Sequence, residues 1–325
     1  MIIYILILLF LLFFCILYTL YYTPNYKYSQ LDFYNIPKYK SIPLIWSKGW
    51  GSFVMNSNPY FNSKYFLLGT GDVLYPSCLQ KLCHNIKDIL WLRITYRKTV
   101  YRNDVDNFAK YVLPYLKQPI ILITSDGDIS IPSDLKGDTA NKILNSNMII
   151  KWYTQNYDNT VKHYKLKPIP IGFDLHTSSK YPEQVYKNII SVPDNNNKIF
   201  KVFCDSHLSM NKDRKIMFKN IKNNNNMFFQ KERIPFSDIL KQYSKYKFVI
   251  SPKGYGLDCH RTWEALYMGA ICTKELSLLF EELPVVILNN WSEITHKNML
   301  KWDKLYTPFT KTIKNKISNP SYWLK

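Results

Sequence analysis

The densest group of residues that could do chemistry lies in one stretch, SPKGYGLDCHRTWEALYMGAICTK, from Ser251 to Lys274. An apolar run ends just before it, a loop with Gly254 and Gly256 follows, and an amphipathic pattern begins near Asp258. Glycines let a loop backbone approach a ligand closely, and the free N–H groups of a helix start attract phosphate. The stretch therefore indicates an anion-binding loop between a strand and a helix, with Lys253 as a further cation in it.

Arg261 and Glu264 are three residues apart, so both project from one side of the predicted helix. The guanidinium of Arg261 can pair with a diphosphate, and the carboxylate of Glu264 can accept hydrogens from two ribose hydroxyls. A structural interpretation fits equally well, with Asp258 as a helix cap and Arg261 and Glu264 as a surface pair. The dinucleotide fingerprint GxGxxG is incomplete because Cys259 holds its last position, and this disfavours a nicotinamide cofactor.

Two carboxylates, Asp126 and Asp128, directly follow the apolar run Ile120–Thr124. Either could deprotonate an acceptor hydroxyl, as an inverting displacement requires. The same DxD pattern could instead hold a divalent metal on a sugar-nucleotide diphosphate. A tight turn rich in Asp and Gly is the third interpretation.

The 251–274 motif resembles the nucleotide-sugar-binding motif of the exostosin-like and ribitol-xylosyltransferase-like glycosyltransferases, which have the two-domain GT-B fold. The resemblance is clearest from Lys151 to Trp302. It implies a transferase that takes a sugar from a nucleotide diphosphate, with Glu264 on the ribose and Arg261 on the diphosphate. It also implies that Arg214, after the strand ending at Cys204, approaches the donor phosphates, with Asp205 as a weaker candidate.

The segments KWYTQN, from Lys151, and PIPIGFDLH, from Pro168, resemble the same family. Each follows or contains a predicted strand, so their polar side chains fall at a strand end. Candidates for hydrogen bonds to sugar or acceptor hydroxyls are Gln155, Asn156, Asp174 and His176. His176 is also a second candidate base, although a lone histidine is more often structural.

These residues must be positioned by short apolar runs that alternate with amphipathic stretches, which predicts parallel sheets with helical crossovers. The predicted strands are Tyr65–Leu68, Ile89–Ile94, Ile120–Thr124, Met148–Trp152, Pro168–Gly172, Ile199–Cys204, Met227–Phe229, Phe248–Ile250, Ala270–Thr273 and Val285–Leu288. The predicted helices are Val105–Leu116, Lys212–Ile221, Phe236–Tyr246, Cys259–Met268, Leu276–Leu283 and Ser292–Tyr306. An Asn- and Lys-rich gap, Asp194–Lys198, separates two similar halves. We therefore expect an α/β protein with two facing, Rossmann-like, doubly wound domains.

The N-terminal run Ile2–Tyr22 is uncharged and long enough to cross a bilayer, so it is predicted to be a transmembrane anchor. Residues 23–62 are predicted to form a stem, followed by an acceptor-side domain at 63–193 and a nucleotide-sugar domain at 194–325. Lysines after the anchor favour a cytosolic catalytic part by the positive-inside rule, whereas a secretory-pathway enzyme needs the reverse. The side of the membrane stays open.

The chain has 325 residues, 46% of them hydrophobic, and a formal net charge of +19. This composition excludes a disordered chain and indicates an anionic partner. No nucleic-acid-binding motif is present, so a nucleotide sugar and a glycan or other hydroxyl acceptor are the expected partners. No cofactor or structural metal is expected. The alternatives are a metal-dependent GT-A-type transferase using Asp126 and Asp128, and a non-enzymatic basic protein at a membrane surface.

Overall fold

The structure is a computed structural model, and it describes residues 42–51, 88–94, 104–175, 182–205, 212–274, 278–280, 282–306 and 311–325. Within these ranges the predicted α/β class is confirmed, since two parallel sheets alternate with helices along the chain. None of the helices in these ranges is long and apolar enough to cross a membrane. The predicted anchor, Ile2–Tyr22, and the predicted strand Tyr65–Leu68 lie outside the described residues.

The first sheet has four parallel strands in the order β1-β2-β3-β4. Its strands are β1 (Ile89–Arg93), β2 (Ile120–Ser125), β3 (Ile149–Thr154) and β4 (Leu166–Pro168). The accompanying helices are α1 (Asp104–Tyr111), α2 (Thr139–Asn145) and, after the sheet, α3 (Pro182–Ile190). β1 and β2 are mainly apolar and buried, as expected for strands of a parallel sheet that is covered on both faces.

The second sheet has five parallel strands in the order β6-β5-β7-β8-β9. Its strands are β5 (Ile199–Cys204), β6 (Met227–Phe229), β7 (Tyr246–Ile250), β8 (Ile271–Lys274) and β9 (Val285–Ile287). The helices are α4 (Lys212–Ile221), α5 (Phe236–Lys245), α6 (His260–Tyr267), α7 (His296–Leu305), α8 (Lys311–Ser318) and α9 (Pro320–Trp323). Because β6 and β7 flank β5 on opposite sides, the strand order reverses there, and ligands of open α/β sheets bind beyond the carboxyl ends of such strands.

The predicted stem needs correction, because residues 42–51 are part of the fold. Trp46 and Trp50 are almost fully buried, and Trp46 belongs to the same apolar cluster as Phe173 and Trp263. The Trp50 indole Nε1 donates to the Pro170 carbonyl at 2.9 Å. The apolar run IPLIW explains the burial, because its large side chains need a core that a solvated stem does not offer.

Several predicted elements differ from those observed. The strand predicted at Pro168–Gly172 has the wrong bounds. The observed strand β4 ends at Pro168, and Gly172 forms an isolated bridge with Trp46. The predicted helix Val105–Leu116 ends early, and a 3-10 turn, Leu113–Tyr115, follows with Pro114 in its first turn. In the described part of the predicted helix Leu276–Leu283, only the 3-10 turn Leu278–Phe280 occurs.

The C-terminal helices were not predicted and connect distant parts of the fold. The Trp323 ring meets Trp263 of α6 edge to face, with centroids 5.6 Å apart. The Tyr153 hydroxyl of β3 donates to the Lys325 carbonyl at 2.8 Å. The C-terminal segment thus packs on α6 and also contacts the first sheet.

Candidate functional site

An ion pair lies at the carboxyl end of β5, where the second sheet reverses its strand order. The Arg261 Nε, on the first turn of α6, is 2.6 Å from Asp205 Oδ1, and both side chains are about one-tenth exposed. The buried Tyr243 hydroxyl donates to the other carboxylate oxygen of Asp205 at 2.9 Å. Burial disfavours the charge of Arg261, but Asp205 beside it keeps the Arg261 pKa well above its usual value.

A second arginine, Arg214 of α4, holds the loop that follows β7. Only 2% of Arg214 is exposed, and its Nε donates to the Lys253 carbonyl at 3.0 Å. Burial and the charge of Arg261 both lower the Arg214 pKa. Two guanidinium groups thus lie near the ends of β5 and β7, where their positive charges favour an anion. Lys253 adds little, because it is half exposed and paired with Asp213 at 2.8 Å.

The two glycines of the 251–274 motif have different environments. A Cβ on Gly256 would lie 2.7 Å from Asn156 Nδ2, so only glycine permits this contact between the two halves of the fold. A Cβ on Gly254 would meet nothing closer than Arg214 Nη2 at 3.6 Å. Gly256 therefore serves packing, and Gly254 leaves open space beside a buried guanidinium.

Glu264 is buried, and one carboxyl oxygen accepts the Asp174 backbone N–H at 3.2 Å. Burial raises the Glu264 pKa to about 8, and the negative charge of Asp174 adds to the shift. The expected role of Glu264 on the ribose stays a prediction, and the raised pKa bears on the form of the carboxyl that would act there. At neutral pH its carboxyl is mainly protonated, so it can donate one hydrogen bond and accept others.

Asp258 does not cap α6 with its side chain, because the N-cap is Cys259 and makes no side-chain capping bond. The Asp258 carboxylate accepts the Ile171 N–H at 2.8 Å and the Trp263 indole N–H at 2.9 Å. Asp258 therefore joins the start of α6 to the chain that follows β4, which was not expected from either sequence interpretation.

Gln155 and Asn156 support the loop after β2. Gln155 is fully buried, accepts the Asp126 N–H at 3.1 Å and donates to the Gly127 carbonyl at 2.8 Å. Asn156 donates to the same carbonyl at 3.0 Å and accepts the Asp258 N–H at 2.9 Å. The expectation that these amides bind sugar hydroxyls needs correction, since both ends of each amide already bond within the protein.

The structure separates the two candidate bases, Asp126 and Asp128. Asp126 is 7% exposed, and its carboxylate lies 2.6 Å from the Arg93 Nε, so it is a weaker candidate than expected. Asp128 is exposed and has no hydrogen-bond partner among the described residues. Neighbouring protein atoms exclude part of the water from the Asp128 carboxyl, and this desolvation raises its pKa. The charge of His260 partly offsets the increase, and the charge of Asp126 adds to it. A carboxylate with a raised pKa is the better proton acceptor.

His260, the first residue of α6, was missed by sequence analysis. Its Nδ1 lies 2.8 Å from the Gly172 carbonyl oxygen, which can only accept, so Nδ1 carries the hydrogen and the neutral ring keeps Nε2 as an acceptor. In its protonated form, His260 lowers the pKa of Asp128. Its place beside Arg261 in the motif was the available signal. His176 lies outside the described residues, and its role stays a prediction.

The described residues contain no group of three or more His, Cys, Asp and Glu side chains that could hold a metal ion. Asp126 faces Arg93, so it does not join Asp128 in a pair of free carboxylates. The two carboxylates of the DxD pattern therefore have different environments, and the metal-dependent alternative stays a prediction. Asp126 and Asn156 both have left-handed backbones, with φ of 63° and 55°, which places two strained residues at one sheet edge.

No protein-family model and no curated protein matches this chain. Among solved structures, a UDP-forming α,α-trehalose-phosphate synthase from Burkholderia xenovorans aligns with 76% of this chain and 75% of its own. The two sequences are 10% identical, and the TM-score is 0.37. At that TM-score the likeness assigns neither a fold family nor an activity, so the case for a function rests on the site's own residues.

Proposed function

We propose that the protein is a glycosyltransferase that moves a sugar from a nucleotide diphosphate to a hydroxyl acceptor. One observation carries the proposal: the buried Arg214 and the Arg261 side chain, about one-tenth exposed, both lie beside the carboxyl ends of β5 and β7, where the strand order reverses. Guanidinium groups at the carboxyl ends of neighbouring parallel strands are placed to bind an anionic ligand through paired hydrogen bonds. A diphosphate fits two guanidinium groups beside an open Gly254 backbone.

The proposed donor lies with its diphosphate at Arg261 and Arg214 and its ribose toward Glu264. As a neutral carboxyl, Glu264 both donates and accepts a hydrogen bond, which matches a pair of ribose hydroxyls. Asp174 lies next to Glu264 and is the candidate for the sugar itself. No metal is needed in this scheme, because side chains neutralise the leaving group.

The proposed reaction is a single displacement with inversion at the anomeric carbon. Asp128 removes the acceptor hydroxyl proton, and the hydroxyl oxygen forms the new bond to that carbon. The bond from the anomeric carbon to the diphosphate oxygen breaks, and the nucleoside diphosphate leaves with its added charge stabilised by the arginines. Arg261, held by Asp205, is therefore the residue expected to act on the transition state.

Two further parts of the proposal come from the sequence. The resemblance of the 251–274 motif to exostosin-like enzymes supports a GT-B arrangement of the two sheets, and the apolar run Ile2–Tyr22 supports a membrane anchor. The exposed Asp128 and the paired Asp126 favour the metal-independent scheme over the GT-A-type alternative.

The test is release of nucleoside diphosphate from a panel of UDP-, GDP-, CDP- and ADP-sugars by the full-length protein in detergent, with and without EDTA. We expect one donor base to be turned over, with EDTA having no effect. Activity lost with EDTA would favour the GT-A-type alternative. No turnover and no nucleotide binding would favour the non-enzymatic basic protein.

A further inference from the structure

A cavity lies in the connection from β3 to β4, lined by none of the residues of the arginine site. It has a volume of about 530 Å³ and is lined by one segment, residues 157–168, which we call the 157–168 pocket. The other two connections of the first sheet contain α1 and α2, whereas residues 155–165 form an irregular loop. Loops of this length without secondary structure are often functional.

The wall of the 157–168 pocket is cationic and aromatic. Lys162 and Lys167 are exposed, and no acidic side chain lines the cavity among the described residues. The Tyr164 ring is 70% exposed and stacks on His163 with centroids 4.6 Å apart. The exposed Tyr164 ring offers apolar surface to a sugar ring, and the lysines offer charge to an acidic group.

Hydrogen bonds within the loop hold this wall in place before any ligand binds. His163 Nδ1 accepts the Lys165 N–H at 3.2 Å, so the neutral ring carries its hydrogen on Nε2, where it can donate to a ligand. The Tyr157 hydroxyl donates to the Val161 carbonyl at 2.9 Å. Preorganised walls of this kind reduce the entropy lost on binding.

The pocket is joined to the loop that carries Asp128. The Ile131 N–H donates to the Asn156 carbonyl at 2.9 Å, and the Asp158 N–H returns a bond to the Ile131 carbonyl at 2.8 Å. Asn156 also donates to the carbonyl of Gly127, the neighbour of Asp128. These bonds tie the start of the 157–168 segment to the loop that carries Asp128, so both belong to one hydrogen-bonded group of loops.

We propose that the 157–168 pocket binds an anionic oligosaccharide, as a subsite for the part of the acceptor remote from its reacting hydroxyl. The identification of the ligand as an acceptor rests on the proposed function. The ligand class, an anionic oligosaccharide, rests on the cationic and aromatic wall of the pocket. It names a substrate feature that the arginine site does not determine, namely acidic groups on the acceptor chain.

The experiment measures binding of two probes to the full-length protein in detergent by calorimetry, without donor: a galacturonic acid hexamer and neutral maltohexaose. We expect the acidic hexamer to bind at least about tenfold more tightly, and K162E/K167E to remove that preference. Tyr164→Ala should weaken the binding of both hexamers. The matched control is K297E/K301E, which makes the same charge change on exposed lysines of α7 and should leave binding unchanged.

Equal binding of the two hexamers, or equal loss in K297E/K301E, would overturn the inference, since either would mean general attraction to a basic protein. Tighter binding of a single-stranded RNA decamer through Lys162 and Lys167 would replace the glycan with nucleic acid. Thermal shifts with nucleoside diphosphates separate the two proposals. A nucleotide shift without hexamer binding overturns only the pocket, and hexamer binding without a nucleotide shift overturns only the proposed donor site.

Discussion

Individual side chains at the candidate site are held in unusual protonation and pairing states by burial. Glu264 is a buried carboxyl whose pKa is raised to about 8, whereas Asp205, whose charge acts on Glu264, is paired with Arg261 and Tyr243. One carboxyl is thus neutral and the other is used for charge compensation. Carboxyl groups whose pKa values are perturbed by burial and by charged neighbours are typical of functional sites.

Burial of Glu264 predicts a specific pH dependence of stability. The Glu264 pKa is 4.5 in an unfolded chain and about 8 when folded, so between these values the folded state binds the extra proton. The free energy of unfolding should therefore fall as pH rises from about 5 to 8, by at most about 1.4 kcal/mol per pH unit from this group. Urea unfolding of the wild type and Glu264→Gln at several pH values measures it.

Glu264→Gln keeps the oxygen that accepts the Asp174 N–H but cannot ionise, so the fall with pH should be smaller in this variant. Identical pH slopes in the two proteins would contradict the buried, protonated carboxyl. Lys198, whose pKa burial lowers to about 8, affects stability above this window, where the unfolded chain binds the extra proton.

The two aspartates after β2 should respond differently to loss of charge. Asp128→Asn should lower kcat by about 10²-fold or more with little change in the donor KM, because it removes the proposed base. Asp126→Asn should instead lower stability by about 3 kcal/mol, because it leaves the Arg93 charge beside a buried, neutral partner. Steady-state kinetics and urea unfolding of both variants measure this.

A drop in stability without a drop in kcat for Asp128→Asn would assign Asp128 to the fold. Full kcat loss in Asp126→Asn at unchanged stability would restore Asp126 as the candidate base.

Among the elements, α6 and residues 42–51 do most to shape the site. The first turns of α6 present His260, Arg261 and Glu264 to the crevice, while Asp258 just before it bonds to the Ile171 backbone. Residues 42–51 close the apolar cluster behind this edge, with Trp46 packed against it. The site thus depends on a segment that lies more than 200 residues earlier in the chain.

Removing the Trp46 side chain should be costly although it lies in the predicted stem. Trp46→Ala should lower the free energy of unfolding by about 3–5 kcal/mol, the cost of emptying a large buried site. Tyr115→Ala, at a ring that is 47% exposed, is the control and should cost less than about 1 kcal/mol. Urea unfolding measures both, and equal costs would show that residues 42–51 are not part of the core.

Periodicity predicted the elements whose apolar runs are long and bounded by polar residues. β5 and α4 have exactly the predicted bounds, because the run IFKVFC and the helical pattern of Lys212–Ile221 are unambiguous. α2 was missed because TANKILN has only two large apolar residues. The strand predicted at Pro168–Gly172 has the wrong bounds, because the apolar residues of PIPIG pack against residues 42–51 and do not extend β4. Local sequence does not reveal such long-range packing.

The candidate site was predicted in part. Arg261, Glu264, Arg214 and Gly254 lie where the motif indicated, since a loop after a parallel strand must fall at the ligand edge of the sheet. The roles of Gln155 and Asn156 were not predictable, because their hydrogen bonds join segments more than 25 residues apart. The pairings of Asp126 with Arg93 and of Arg261 with Asp205 have the same long-range origin.

At the scale of the whole molecule, loops at the polar strand ends of both parallel sheets form the candidate site. The first sheet contributes Asp128, and the second contributes Arg214 and Arg261. Bonds such as Asp258 N–H to Asn156 Oδ1 and Asp174 N–H to Glu264 join the two sets of loops. The formal charge of +19 draws anions generally, so selectivity has to come from this arrangement and not from net charge.

The most direct test of the central claim, a nucleoside diphosphate at the two arginines, is a thermal shift of the full-length protein in detergent. UDP, GDP, CDP and ADP are compared in EDTA, on the wild type, on Arg261→Gln and on the control K297E/K301E. We predict that one base raises the wild-type Tm, by mass action on the folded state, and that only Arg261→Gln loses the rise. Equal shifts with all four nucleotides in all three proteins, or none in the wild type, would contradict the account.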